Sequence, residues 1–155
     1  MNFDEYFFHI SNAVRLRSKD PNTQIGAVIV GPENQIISTG YNGFPRQVLE
    51  TKERWERPTK YTYICHAEVN AIYNAARHGI SLRNSTIYML GFGPPSAPCI
   101  ECSKAIIQSG IEKIVGAYYK SIPEHWLDNL NKSLEILKEG NVVFVEYGEF
   151  KQMKI

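Results

Sequence analysis

The chain predicts an α/β fold built on a mixed five-stranded sheet with helices on both faces, and three observations carry that expectation. Two short β-branched runs, Ile25 to Val30 and Gln35 to Thr39, flank the turn residues Gly31-Pro32-Glu33-Asn34 and read as an antiparallel hairpin. From His66 onward, helical and strand patterns alternate, which demands crossover connections and therefore parallel strands in that half. One amphipathic helix precedes the hairpin, so the order is helix, two strands, helix, strand, helix, strand, helix, strand.

The opening helix is predicted over Asp4 to Ser18, where Tyr6, Phe7, Ile10, Ala13, Val14 and Leu16 recur near a 3.6-residue period; Asp20-Pro21-Asn22 breaks it. His9 within it reads as a packed or exposed side chain. After the hairpin, Gly40-Tyr41-Asn42-Gly43-Phe44-Pro45-Arg46 is a turn-rich loop whose glycines let backbone come close to a neighbour. Gln47 to Lys60 is polar and charged, with Trp55 and Pro58 inside it, and supports no more than a short turn; its length suits a lid or a partner-contact loop. His66 to His78 reads as a helix with Val69, Ile72, Tyr73 and Ala76 on its apolar face and Gly79 as its stop, His78 being placed for the helix dipole and not for a metal. Then follow a strand from Ser85 to Leu90, a rigid loop from Gly91 to Ala97 and a helix from Cys99 to Ser109. A strand from Lys113 to Tyr118, a helix from Pro123 to Glu139 ended by Gly140, and a strand from Asn141 to Tyr147 complete the chain.

With 155 residues, of which 43% are apolar, the chain is long enough for one domain with a proper core, taken as residues 1–155. The formal net charge of +1 and the absence of like-charge runs argue against nucleic acid and acidic membranes as partners. Met1-Asn2-Phe3-Asp4-Glu5 lacks the basic and apolar regions of a signal peptide, and no later segment has the apolar length to span a bilayer, so the expected location is cytoplasmic. No internal repeat is visible.

The chemistry lies in Cys65-His66-Ala67-Glu68-Val69-Asn70-Ala71 and Pro98-Cys99-Ile100-Glu101-Cys102. One histidine and a cysteine pair spaced by two residues suit tetrahedral Zn2+, and three protein ligands leave the fourth position for a water, as in a catalytic site. Glu68 supplies the carboxylate that a zinc-activated water needs to take up its proton and deliver it to substrate. His66 and Glu68 point to nearly opposite faces in mid-helix but can reach one point from a first turn, where side chains lean back past the helix end. Pro98 suits a helix entry, and Cys99 and Cys102 then fall one turn apart near the positive end of the dipole, which favours thiolate. Two helix starts therefore face each other across one metal. The remaining cysteine, Cys65, reads as a small buried hydrophobe without a role.

The order His-x-Glu, then Pro-Cys-x-x-Cys, is the signature of zinc nucleobase deaminases. More narrowly, the chain resembles the deoxycytidylate (dCMP) deaminases of the cytidine deaminase superfamily from about Arg17 to about Val115. The matching blocks are Ser18-Lys19-Asp20-Pro21-Asn22-Thr23-Gln24-Ile25-Gly26-Ala27, Gly40-Tyr41-Asn42-Gly43-Phe44-Pro45, Lys60-Tyr61 ahead of Cys65-His66-Ala67-Glu68, and Ala105-Ile106-Ile107-Gln108-Ser109-Gly110-Ile111. The resemblance implies a three-layer α/β/α cytidine deaminase-like fold and hydrolysis of dCMP to dUMP and ammonia. It also implies zinc on His66, Cys99 and Cys102, proton transfer by Glu68, a hydrogen bond from Asn42 to the sugar, the Ala67 N–H on the C2 carbonyl and the Ala97 carbonyl on the exocyclic amine. Members of the family are typically oligomeric, and some respond to deoxycytidine and thymidine triphosphates; Trp55, Phe92 and Trp126 are candidates for an association surface. The chain departs from the family in two places. The Gly91 to Ala97 segment is longer and richer in proline than usual, and Gln47 to Ile64 has no Cys or His for a second, structural zinc, so one ion is expected.

A 5′-phosphate would need cationic or hydroxyl partners, for which Arg46, Lys120, Tyr118 and Tyr119 are the candidates. A tRNA adenosine deaminase shares the metal pattern but calls for a basic face that a net charge of +1 does not suggest. Free cytidine deaminases usually have Cys in place of His66, and purine-base deaminases are a further alternative. A non-catalytic zinc scaffold that binds a nucleotide has no use for Glu68.

Overall fold

The computed structural model describes residues 1–152. Its first element, α1 (Phe3–Arg15), begins at a reciprocal cap, with the Asn2 side chain accepting from the Glu5 N–H at 2.9 Å and the Glu5 carboxylate accepting from the Asn2 N–H at 3.0 Å. The hairpin β1 (Gly26–Val30) and β2 (Ile36–Tyr41) follows, then a single turn α2 (Lys60–Tyr63) and α3 (Ala67–Arg77). The remaining elements are β3 (Thr86–Gly93), α4 (Ile100–Ser109), β4 (Lys113–Ser121), α5 (Leu127–Glu139) and β5 (Val143–Glu149).

The sheet has five strands in the order β2-β1-β3-β4-β5, antiparallel from β2 to β3 and parallel from β3 to β5, as the alternation required. Alternating side chains divide the core into two. Ala27, Ile29, Ile87, Met89 and Ile114 pack under α3, α4 and α5, whereas Val28, Val30, Tyr88, Leu90 and Val115 pack under Phe7 and Phe8 of α1. A side chain such as Ile87, with no exposed surface, contributes about 1.5–3 kcal/mol by leaving water. The result is the three-layer arrangement.

Several boundaries differ from expectation, among them the end of β4, which runs on from Tyr118 to Ser121. The helix α1 stops at Arg15 because Ser18 turns inward, where its hydroxyl donates to the Asn42 carbonyl at 2.7 Å. Strand β3 runs on through Gly93, so the first part of the Gly91 to Ala97 segment is strand, held to Tyr118, Lys120 and Ser121 of β4 across a bulge. A 3₁₀ turn at Glu124–Trp126 occupies the start of the segment expected to be helical from Pro123.

This topology fixes where a site can form. Strand β2 shares its direction with β3, so Asn42 leaves the sheet at the edge where β3 ends and where α3 and α4 begin. Gly40 allows α3 to sit low on that edge: a Cβ there would lie 2.3 Å from the Ala67 carbonyl oxygen and the Ala71 nitrogen.

Candidate active site

His66 is the extended residue capping α3, Ala67 and Glu68 occupy that helix's first turn, Cys99 caps α4, and Cys102 lies in the first turn of α4. The α4 start is fastened twice: the Cys99 sulfur accepts from the Cys102 N–H at 3.5 Å, and Asn129 of α5 accepts from the Ile100 N–H at 3.1 Å. The His66 Nδ1 lies 3.4 Å from the Cys99 Sγ and 3.5 Å from the Cys102 Sγ. Tetrahedral zinc with N and S ligands at their usual bond lengths separates those atoms by about 3.5 Å, so the donor set fits that ion. Among the described residues, these three donor atoms form a group lying within 4.8 Å of one another.

The three donors lie close enough to shift one another's proton affinity. Cys99 is held down at about 4, first by its hydrogen bond with the Cys102 thiol and then, against the effect of burial, by His66. The Cys99 sulfur and burial push Cys102 upward. His66 is raised to about 9, chiefly by its bond to Cys99. A divalent cation would displace those protons and satisfy all three donors together. Two helix N-termini aimed at the cluster favour its negative sulfur.

Glu68 is 4% exposed, and its Oε2 has no hydrogen-bond partner among the described residues. Burial pushes its carboxyl up. A buried carboxylate oxygen left unpaired costs about 1–3 kcal/mol or more, which a bound partner would offset. Glu68 also lines a cavity of about 850 Å³, a figure that includes the space open to solvent at its mouth. His66, Glu68, Cys99 and Ala97 form its floor.

Asn42 also lines the cavity, but its amide is already engaged. Nδ2 donates to the Asp20 carboxylate at 3.2 Å and to the Thr23 carbonyl at 2.8 Å, and Oδ1 accepts from the Ile25 N–H at 2.8 Å. The expected bond to a sugar is thereby narrowed to acceptance by Oδ1, which keeps one lone pair. Asp20 ties this wall together, accepting also from the Asn22 and Thr23 N–H groups and from Lys60. Lys60 is buried beside it, with Nζ 3.1 Å from both Asp20 Oδ2 and Asn22 Oδ1.

Arg46, Tyr119 and Lys120 are not brought to the cavity. The Arg46 guanidinium bonds Asn74 on the outside of α3. The Tyr119 hydroxyl donates to the Gln24 carbonyl at 2.7 Å, and Arg15 covers its ring at 3.9 Å. Lys120 donates to the Asn22 carbonyl at 2.9 Å. Tyr118 is likewise off the lining, packed beside Gly93. The three aromatic candidates for an association surface are half-buried: Trp55 stacks on Phe44 at 4.5 Å, and Phe92 and Trp126 line the cavity. Arg57, which periodicity and spacing did not single out, is exposed at the cavity, and Lys60 opens the single turn α2. Lys60 stood out only in the Lys60-Tyr61 block of the resemblance, and the one signal for Arg57 was its position within ten residues of His66.

A comparison with known proteins agrees with this geometry. Residues 1–118 match the family described as the cytidine and deoxycytidylate deaminase zinc-binding region. The deoxycytidylate deaminase of Homo sapiens is 40% identical over 121 residues, 74% of this chain and 64% of that protein, so the chain spans a little under two thirds of that relative. A protein of Aliivibrio fischeri described as an uncharacterized deaminase in the luxG 3′ region is 37% identical over 142 residues, covering 92% of this chain and 86% of that one. Among solved structures, the dCMP deaminase of cyanophage S-TIM5 in complex with dCMP and dUMP superposes with a TM-score of 0.71 at 22% identity, over 94% of this chain and 98% of that one, and so shares the fold. The His-x-Glu and Pro-Cys-x-x-Cys helix starts, the donor spacing and the match over residues 1–118 converge: the chain belongs to the cytidine and deoxycytidylate deaminase zinc-binding family.

Proposed function

We propose that residues 1–155 act as a single deaminase domain that hydrolyses the exocyclic amine of a cytosine nucleotide, converting dCMP and water to dUMP and ammonia. The observation that carries this is the buried Glu68, whose Oε2 has no hydrogen-bond partner among the described residues, lining one cavity together with His66 and Cys99. In this reading one catalytic zinc ion is held by His66, Cys99 and Cys102. Bound there, zinc supplies a Lewis acid that makes a water nucleophilic near neutral pH. Glu68 accepts the proton that the water releases and passes it to the ring nitrogen N3; a further transfer to the exocyclic nitrogen lets ammonia leave. The Ala67 N–H, at the start of α3, is the donor for the C2 carbonyl, and the Ala97 carbonyl is the acceptor for the amine. Asn42 Oδ1 accepts from a sugar hydroxyl.

For the 5′-phosphate the cavity supports a different residue from those chosen by sequence. Lys60 is neutralised by Asp20, whereas Arg57 is exposed on the lining and has no ion-pair partner among the described residues. Arg57 is therefore the phosphate contact in this reading, with Lys60 organising the wall beside it. A small free nucleotide also suits a chain with a net charge of +1 better than tRNA does. Among the described residues no helix is long and apolar enough to cross a membrane. A cytoplasmic, self-associating enzyme completes the proposal, and sedimentation of the purified chain tests the association.

The test is ammonia release from the zinc-loaded protein given dCMP, CMP, deoxycytidine and adenosine-bearing tRNA. Turnover of dCMP far above deoxycytidine, with none on tRNA, is expected. Equal efficiency on deoxycytidine and dCMP removes the phosphate contact and leaves the zinc chemistry standing.

A further inference from the structure

The wall between the end of β3 at Gly93 and the start of α4 at Ile100 belongs to neither a strand nor a helix, yet it carries Ala97 and the ligand Cys99. Its middle is gripped from the far side of the sheet. Glu146, on the edge strand β5, accepts from the Ser96 N–H at 2.8 Å through Oε2 and from the Ser96 hydroxyl at 2.7 Å through Oε1. Ser96 itself is 1% exposed. The reach is possible because Glu146 pairs with Gly116 of β4, where a side chain is excluded: a Cβ on Gly116 would lie 2.1 Å from the Ser96 carbonyl oxygen. The missing side chain on one strand and the carboxylate on the next thus form a seat for one residue of the cavity wall. Directly after this pair the β4–β5 register slips by a bulge, the kind of feature that re-aims a side chain beside a site.

We infer that Glu146 is a positioning residue for the deaminase site: its two-pronged grip on Ser96 sets the place of Ala97 against the substrate base and of Cys99 against the metal. This rests on the function proposed above. The Ser96 N–H can only donate, whereas the Ser96 hydroxyl can also accept, so a glutamine could keep both bonds by accepting from the N–H and donating to the hydroxyl. An apolar side chain of similar size, as in Glu146→Leu, removes both acceptors. Loss of outer contacts of this kind typically costs about 10- to 100-fold in activity or metal affinity.

The experiment compares wild type, Glu146→Leu and Ser96→Ala as zinc-loaded proteins. In Glu146→Leu the Ser96 amide hydrogen should exchange faster, and kcat/KM for dCMP should fall about tenfold or more, mainly through KM, because the wall that holds the base moves while Glu68 does not. Ser96→Ala, which deletes only the hydroxyl bond, should shift KM in the same direction by less, and it decides the question should Glu146→Leu fail to fold. Both constants within twofold of wild type in a folded variant overturn the inference. A wild-type protein that does not turn over dCMP overturns the proposed substrate instead. The grip is then judged by zinc affinity in chelator competition, where a fall in Glu146→Leu supports the positioning role and an unchanged value overturns it.

Discussion

The Lys60 ammonium sits 3.1 Å from the Asp20 carboxylate across 40 residues of sequence, with side chains only 5% and 3% exposed. Burying two opposite charges gives little net stability, but removing one of them strands the other in a low-dielectric wall. Lys60→Met should therefore destabilise the fold by about 3–5 kcal/mol. The double variant Lys60→Met with Asp20→Asn should recover a large part of that loss. Urea denaturation checks both, and additive losses in the double variant would show that the two residues act independently.

Glu68→Gln should bind zinc as well as wild type, since the three donors that fit the ion are His66, Cys99 and Cys102. Its turnover should drop by about two to four orders of magnitude, the usual contribution of a positioned proton carrier. Elemental analysis and rate measurement on one preparation check the pair of statements; near wild-type turnover would contradict the proton-transfer role. The substitution also leaves an amide where Oε2 had no partner, so stability should hold or rise slightly.

Cys99→Ser or Cys102→Ser should lose zinc and thermal stability together, because metal binding at a site absent from the unfolded chain adds to folding free energy. Stripping wild type with a chelator should lower its melting temperature in the same way. Cys65→Ser should do neither to a comparable extent: Cys65 is half-buried in a backbone bridge with Gly43 and stands outside the donor cluster. Full zinc occupancy in both ligand variants would remove them from the site.

What could be seen in the sequence was whatever local structure alone determines. The His66 and Glu68 spacing, and that of Cys99 and Cys102, has meaning only at a helix start, and caps and prolines mark helix starts within a few residues. The hairpin and the later parallel strands followed from patterns of similar range. The rest of the cavity was not visible because tertiary contacts decide it. Arg57 and Lys60 come from a segment that is ordered by the stack of Trp55 on Phe44 and of Phe44 on Tyr63, at 4.5 and 5.5 Å, and no periodicity announces that. Strand β4 continues through Ser121, which turns Tyr119 toward α1 and leaves Lys120 on the Asn22 carbonyl, an arrangement that no local pattern announces. Asn42 lines the cavity, but its bonds to Asp20, Thr23 and Ile25 depend on a neighbouring loop folding over it.

Arg57→Gln addresses the end of the substrate that lies farthest from the chemistry. A charge-assisted contact to phosphate is worth about 1.5–3 kcal/mol, or roughly 10- to 100-fold in binding. The variant should lose about that much in kcat/KM on dCMP and almost nothing on deoxycytidine, because the nucleoside has no phosphate to hold. The exposure of Arg57 moderates the effect, since water and salt screen the pair, and places the expected value at the lower end. Arg46→Gln serves as the control: its guanidinium is engaged with Asn74 away from the cavity, and both substrates should be turned over as by wild type. Raising the salt concentration should narrow the preference of wild type for dCMP, and should do so less in Arg57→Gln. An unchanged ratio of dCMP to deoxycytidine efficiency in Arg57→Gln would exclude Arg57 from phosphate recognition and return the choice to Lys60, whose removal should then affect the two substrates unequally.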